Sequence, residues 1–400
     1  MKKFIALFMS VIMTAAFIVP GFAADVDVSR PEKAHLAFGE DGKFTILQVA
    51  DIQDDALLSS LAKAAIKNAV EESKPDLIVL TGDNIAGYSC GTKGLAKAAL
   101  KSIMDLFEEI GVPVAAVFGN HDDDNTPYTK LEQIEQSEAY SCYIGCAGVV
   151  CEKTVGKNTM VNAGTYNVPI YDSADSDKVA FNLWCMDSGN YNPDDNYGGY
   201  GYVLPEQIDW YIQKSNELKE ANGGVPVPSF AFQHIVPPHI YRALKEVDKG
   251  TEGAVSYGGK YYTLPDGTDP KTNWLSEAPC PPNIDFEPGY AELDAMIQQG
   301  DVKAVFFGHD HINNYIVPYE GIDLVSSAGI TFHSYNDENR GFRVITLDKD
   351  NLDTYETYNL NAAELLENGS ALDKLMLTFK NILDSIVNFF KGIWDKITNG

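Results

Sequence analysis

Five stretches of this chain end an apolar run in side chains able to hold a metal ion. They are Asp51 and Gln53 in ILQVADIQDD, Asp83 and Asn84 in TGDN, Asn120, His121 and Asp122 in FGNHD, His234 in FAFQHI, and His309 and His311 in AVFFGHDH. Alternate side chains of an extended segment share one side, so D-x-Q brings two oxygen donors together and H-x-H two imidazoles. Such mixed oxygen and nitrogen donors suit manganese, iron or zinc better than calcium. A single histidine at a strand end is ordinarily structural. Five polar strand ends in one chain ask for a common cause, and a shared cation site supplies it.

The elements that must position these residues follow from the hydrophobic pattern. From residue 43 onward strands and helices alternate: KFTILQVAD, LLSSLAKAAIKNAVEES, DLIVLTGDN, KGLAKAALKSIMDLFEEIG and VPVAAVFGNHDDD. That order implies βαβ units and parallel strands, and ligands of parallel sheets gather beyond the carboxyl ends of the strands. Further on come the strand VAFNLWCMDSGN, the helix PEQIDWYIQKSNELKEA, the strand VPSFAFQHI, the helix YAELDAMIQQG and the strand VKAVFFGHD. YIVPY, IDLVSSAGI, FRVITLD and DTYETYNL read as a closing run of antiparallel strands. Residues 122–165 and 236–287 are rich in Asn, Asp, Gly, Pro and Tyr and read as long loops that cover a site.

Composition narrows the function. A formal charge of -27 argues against a nucleic-acid partner, because phosphate backbones attract an excess of lysine and arginine. The N-terminus, MKKFIALFMSVIMTAAFIVPGFAAD, has the charge, apolar core and small residues of a bacterial secretory signal over residues 1–23; a retained anchor is the competing reading. Secretion would carry the six cysteines to an oxidising compartment. A local bridge is expected among Cys142, Cys146 and Cys151, and an inert core thiol at Cys185. Over residues 370–400, Leu372, Leu375, Phe379, Ile382, Ile386, Phe389, Ile393 and Ile397 fall on one helical face. That amphipathic helix would pack on the core, self-associate, or lie on a surface.

The ordered motifs D-x-Q, GDN, GNHD, H and GHDH resemble those of the calcineurin-like metallophosphoesterase superfamily. LQVAD, LWCMDSGNY, QIDWY, VKAVFFGHDHINNY and GFRV are similar to its branch related to purple acid phosphatases and Dcr2-type phosphatases. The resemblance implies an α/β fold over residues 34–360, a four-layer αββα sandwich of two mixed β-sheets flanked by helices. It implies two metal ions (Mn, Fe or Zn): one held by Asp51, Gln53, Asp83 and His311, the other by Asp83, Asn120, His234 and His309, with Asp83 shared. His121 would steady the transition state or protonate the leaving oxygen, Asp122 would orient its imidazole, and Asn120 and His121 would contact the substrate phosphate. The implied reaction is attack of a metal-activated hydroxide on a phosphate ester, with monoesters of small molecules favoured over diesters. An idle surface or binding protein that keeps the scaffold is the alternative from another class.

The match departs from the family at two places. Gln53 stands where the family has histidine; it either ligates weakly through its carbonyl or leaves the first site with three protein donors. Ala86 stands where purple acid phosphatases carry their iron-binding tyrosine, so no purple chromophore is expected, and Tyr88 reads as a loop residue. His239 and His333 line the pocket or pack elsewhere, and His35 is incidental. Asp54, Asp55, Asp123 and Asp124 could tune the site electrostatically, but most are expected to face water, since extra carboxylates would repel phosphate.

Overall fold

The structure is a computed structural model and describes residues 34–382. The leader expected over residues 1–23 lies outside the described residues, as do Ile386, Phe389, Ile393 and Ile397 of the tail.

Two sheets carry the fold. In the first, Lys43–Val49, Leu77–Thr81 and Val114–Val117 run parallel, and Gly341–Asp348 and Tyr355–Asn361 extend the other edge antiparallel. In the second, Val179–Cys185, Ser229–Phe232, Val302–Phe307 and Ile322–Ser326 form a parallel centre. Tyr315–Tyr319 flanks that centre on one side, and Asn158–Tyr171 followed by Val149–Val155 on the other, all antiparallel. The closing strands therefore divide between the sheets rather than form one antiparallel run. Ile322–Ser326 pairs parallel with Val302–Phe307, because its side chains are buried on both faces and fit an interior position.

Period-two alternation explains why the sheets stack. Phe44, Ile46, Leu77, Val79, Ala115 and Val117 point from the first sheet toward Phe181, Leu183, Phe230, Phe232, Ala304 and Phe306 of the second. Cys185 lies in this layer, the inert position expected of it. The opposite faces bind helices. Leu47, Val49, Ile78 and Leu80 meet Ala65, Ile66 and Ala69 of the helix Ser60–Ser73 and Ile103 and Phe107 of Lys93–Ile110. Trp184, Ala231, Val305 and Phe307 meet Ile208 and Tyr211 of Pro205–Ala221 and Leu293 and Met296 of Ala291–Gln299. The layers run helix, sheet, sheet, helix, the αββα order. Each fully buried large side chain contributes about 1.5–3 kcal/mol, so the stacking is strongly specified.

The two long irregular stretches hold more order than their composition suggests. Residues 236–287 include a small antiparallel sheet of Lys245–Val247, Lys260–Thr263 and Val255–Tyr257. Residues 122–165 include the helix Lys130–Ser137, whose Thr129 and Glu132 form a reciprocal capping box.

The helical layer continues past residue 360: Leu366 of Ala362–Asn368 and Leu377 are buried with it. Residues 371–382 are helical, and this part of the tail rests on the protein through Asp373 and Leu377. Its apolar stripe points outward, with Leu372 62% and Phe379 64% exposed. Among the described residues, no helix is long and apolar enough to cross a membrane.

The bridge expected among Cys142, Cys146 and Cys151 does not form; all six cysteines are free thiols.

Candidate metal centre

The carboxyl ends of five parallel strands, three from the first sheet and two from the second, meet at one edge of the sandwich. Asp51 and Gln53 follow Lys43–Val49, Asp83 follows Leu77–Thr81, and Asn120 and His121 follow Val114–Val117. His234 follows Ser229–Phe232, and His309 and His311 follow Val302–Phe307. Asp51, Gln53, Asp83, Asn120, His234, His309 and His311 are all buried. Four of them turn the chain through the left-handed region: Asp51 (φ 52), Gln53 (φ 42), Asp83 (φ 49) and His309 (φ 75). Side chains larger than glycine are strained there, and such strain collects at functional sites. The D-x-Q segment is thus sharply bent, not extended as its alternation suggested. Two glycines make room for this crowding: a Cβ on Gly82 would sit 2.6 Å from the His234 ring, and one on Gly119 would collide with the Asp83 carboxylate.

The ligand atoms form two groups with one member in common. Donor atoms of Asp83, His234 and His309 lie within 4.8 Å of one another, and so do those of Asp51, Asp83 and His311. Asp83 Oδ2 is 3.3 Å from His234 Nε2, and Asp51 Oδ1 is 3.6 Å from His311 Nε2. His234 Nε2 also faces His309 Nδ1 at 3.2 Å and Asn120 Oδ1 at 3.2 Å. Nitrogen lone pairs this close to each other and to acceptor oxygens require a cation or a proton between them.

Backbone carbonyls fix two of the imidazoles. Thr81 O accepts from His234 Nδ1 at 2.9 Å and Tyr335 O from His311 Nδ1 at 2.7 Å. A carbonyl can only accept, so each Nδ1 carries the proton and each Nε2 presents its lone pair inward, the usual support for a metal-binding histidine.

Gln53 bears on the same question. Its Oε1 is buried and has no hydrogen-bond partner, while its Nε2 lies 3.5 Å from Asp83 Oδ2. An orphaned buried acceptor is costly, and a cation within reach of Oε1 would satisfy it. The donor set of carboxylates, amide oxygens and imidazoles fits manganese, iron or zinc.

Electrostatics agree. Burial pushes the Asp51 carboxyl up to about 8, with His234 opposing the rise and Asp83 adding to it. Burial alone would lower His234, yet the Asp83 carboxylate lifts it to about 9. Burial pulls His311 down to about 4 and, with the charge on His234, takes His309 well below its ordinary value. The Asp51 and His234 shifts mark a buried cluster of like and opposite charges that metal ions would neutralise.

His121 stands apart from these donors. Its backbone N–H donates to Asp83 Oδ1 at 2.8 Å, and its ring Nδ1 meets Asp124 Oδ2 at 2.7 Å. Burial opposes protonation, but the Asp124 bond and the charge on Asp83 raise the His121 pKa above the ordinary imidazole value. The orienting carboxylate is thus Asp124, which corrects the expectation for Asp122. Asp122 is saturated by other donors: its Oδ1 accepts from the N–H groups of Asn84 and Ile85 at 2.8 and 3.0 Å, and its Oδ2 from Gly119 N–H at 2.7 Å. It ties the GDN turn to the GNHD turn and positions both.

The remaining acids are not simply wet either. Asp54 is buried and accepts from Ser59 N–H at 2.6 Å, ahead of the helix that Ser59 caps. Asp55, Asp123 and Asp124 are half-buried.

A cavity of about 330 Å³ opens over this centre. Gln53, Asp83, His121, His309 and His311 form its floor, and Tyr88, Tyr200 and Tyr335 contribute to its wall. His333 reaches its rim through Ser89 Oγ at 3.1 Å and Tyr88. His239 does not: it is buried 3.0 Å from Asp294 and packs on Tyr290 and Tyr319. His35 stacks on Tyr171. The residues missed from sequence are Asp124, Tyr191, Tyr200 and Tyr335. Tyr191 Oη lies 3.3 Å from Asn120 Nδ2. A usable signal existed for Asp124 alone, three residues beyond His121 in the same turn.

The centre and its frame define a metallophosphoesterase. The chain belongs to the calcineurin-like phosphoesterase family, hydrolases of phosphate esters, through residues 44–313. It is similar to an Arabidopsis thaliana protein named "Probable inactive purple acid phosphatase 29", at 28% identity over 79% of this chain and 80% of the relative. Phosphatase DCR2 of Saccharomyces cerevisiae is 25% identical over 69% of this chain and 45% of its own length. A solved dimetal phosphatase from Danio rerio aligns with 79% of this chain and 98% of its own at 13% identity, with a TM-score of 0.42.

Proposed function

We propose that this protein is a secreted dimetal phosphohydrolase that prefers phosphate monoesters to diesters. One observation carries the reading: Asp83 belongs to both donor groups, the arrangement a pair of neighbouring cations needs. Asp51, Gln53, Asp83 and His311 would hold one cation, and Asp83, Asn120, His234 and His309 the other. Bound there, the pair supplies positive charge that draws in phosphoryl oxygens and acidifies water.

The chain's own side chains do the rest. His121, held by Asp124 and raised in pKa, lines the cavity beside the metal donors and serves as proton donor to the departing oxygen. Asn120 turns its amide between His234 and Tyr191, which sets it to orient a phosphoryl oxygen. Asp122 keeps both turns in register. The lysine-led apolar N-terminus supports export, and N-terminal sequencing of protein from culture medium would show cleavage near Ala23 or Ala24.

A second reading rests on the similarity to an Arabidopsis protein named as a probable inactive phosphatase and on Gln53: a protein that keeps the centre for binding without turnover. Metal analysis of the purified protein, followed by assay of an aryl phosphate and its bis-aryl diester with manganese, zinc or iron, separates the readings. Two equivalents of metal and faster metal-dependent turnover of the monoester are expected. Faster turnover of the diester would overturn the substrate preference, and bound metal without turnover of either would favour the second reading.

A further inference from the structure

Three tyrosines of the cavity wall are each packed against a different histidine of the site. Tyr335 stacks on His311 with centroids 4.2 Å apart and planes 10° apart. Tyr200 meets His309 edge-on at 4.2 Å, and Tyr88 meets His121 edge-on at 4.9 Å. Buttressing an imidazole accounts for one side of each ring. It does not account for the surface left open at the rim, where Tyr335 is 53% and Tyr88 39% exposed. The Tyr335 ring is also pinned at its far end, since its hydroxyl donates to Glu277 Oε1 at 3.1 Å. The rings are thus held at fixed places around the point where a phosphoryl group would sit, and immobile aromatic surface binds a flat partner at little entropic cost.

Charge narrows the partner further. Among the described residues, no lysine or arginine lines the cavity. Asp124 lies behind His121, Glu277 stands behind Tyr335, and the whole chain carries a charge of -27. The metal centre can neutralise one phosphate; the described lining adds no lysine or arginine for a second phosphate or a carboxylate on the organic group.

We propose that Tyr88, Tyr200 and Tyr335 form an aromatic subsite that selects esters of a single phosphate whose organic group is flat and uncharged. The inference rests on the dimetal phosphohydrolase reading and specifies the substrate class of that site. Offset or edge-on ring contacts add about 0.5–1.5 kcal/mol beyond buried area.

Non-hydrolysable phosphonates test it without interference from leaving-group reactivity. Calorimetry on the manganese-loaded full chain would compare orthophosphate, methylphosphonate, phenylphosphonate and 4-carboxyphenylphosphonate. Phenylphosphonate should bind about 10-fold tighter than methylphosphonate, and the carboxylated analogue more weakly than phenylphosphonate. Tyr88→Ala and Tyr335→Ala should each bring the phenyl-to-methyl ratio toward one, whereas Tyr88→Phe, which keeps the ring, should preserve it. Orthophosphate binding with no advantage for phenylphosphonate would overturn the subsite and leave the hydrolase reading standing. Tighter binding of the carboxylated analogue, or of a trimethylammonioethyl phosphonate, would overturn the selection for uncharged groups. Failure of every phosphonate and of orthophosphate to bind would remove the hydrolase reading and the subsite together.

Discussion

The two sheets contribute different chemistry to the centre. The first supplies only oxygen donors, Asp51, Gln53, Asp83 and Asn120, while the second supplies only imidazoles, His234, His309 and His311. Both groups of three cross this divide, joining carboxylates from one sheet to histidines from the other. The lesson is that the centre does not pre-exist in either half. It forms only when the apolar faces of the two sheets close on each other, which couples cation binding to packing of the sandwich. The halves are also held differently. Turn geometry and Asp122 hold the oxygen side, whereas hydrogen bonds from Nδ1 to Thr81 O and Tyr335 O hold His234 and His311.

The largest effect should come from the residue shared by both groups. Asp83→Asn removes a charge from each, and loss of one partner from a buried charged set costs about 3–5 kcal/mol. The expected result is loss of both metals and a fall in kcat/KM of about 1000-fold, read by metal analysis and kinetics. Retention of two metals would show that the halves do not meet at Asp83.

Asp124→Asn leaves the metal donors in place and weakens only the hold on His121. We expect kcat to drop about 10-fold to 100-fold with metal content unchanged. The alkaline limb of the pH–rate profile should move to lower pH, because the raised pKa of His121 depends on Asp124. Asp122→Asn should instead lower thermal stability, since its carboxylate accepts from three backbone N–H groups.

Gln53→His moves an imidazole onto the oxygen side. Metal preference should shift from manganese toward zinc or iron, with a change in turnover of only about 2-fold to 10-fold. Unchanged preference in a metal competition assay would mean that Gln53 Oε1 meets no ion.

The effect most remote from the centre concerns the helix layer behind the histidine sheet. Burial raises the Glu292 carboxyl to about 8, opposed only by its contact with Gln233. Between the ordinary carboxyl range and about 8 the folded chain keeps a proton that the unfolded chain has released, so stability falls as pH rises through that window. Glu292→Gln should therefore raise the melting temperature at pH 8 by several degrees, on the order of a few kcal/mol, and by much less at pH 5. Equal gains at the two values would contradict a buried, protonated Glu292.

The sequence revealed the centre better than its surroundings. Asp51, Asp83, Asn120, His234, His309 and His311 each close a strand whose pattern is plain, so the topology of parallel strands brings them to one edge. Asp122 and Asp124 could not be told apart, because which carboxylate reaches His121 depends on a tight turn with no periodicity. Tyr200 and Tyr335 were hidden for a related reason: their loops pack against the histidines through tertiary contacts rather than local pattern. The sheet membership of Ile322–Ser326 followed from burial on both faces, which composition alone does not report. The tail's apolar stripe was legible, but its outward orientation follows from Asp373 and Leu377 facing the protein.

Anomalous diffraction from manganese-soaked crystals, recorded at the manganese edge, would locate the cations. Two peaks about 3.5–4 Å apart are expected with the Asp83 carboxylate between them, Gln53 and His311 on one side and Asn120, His234 and His309 on the other. A single peak, or two peaks of which only one touches Asp83, would contradict a pair of cations shared by Asp83.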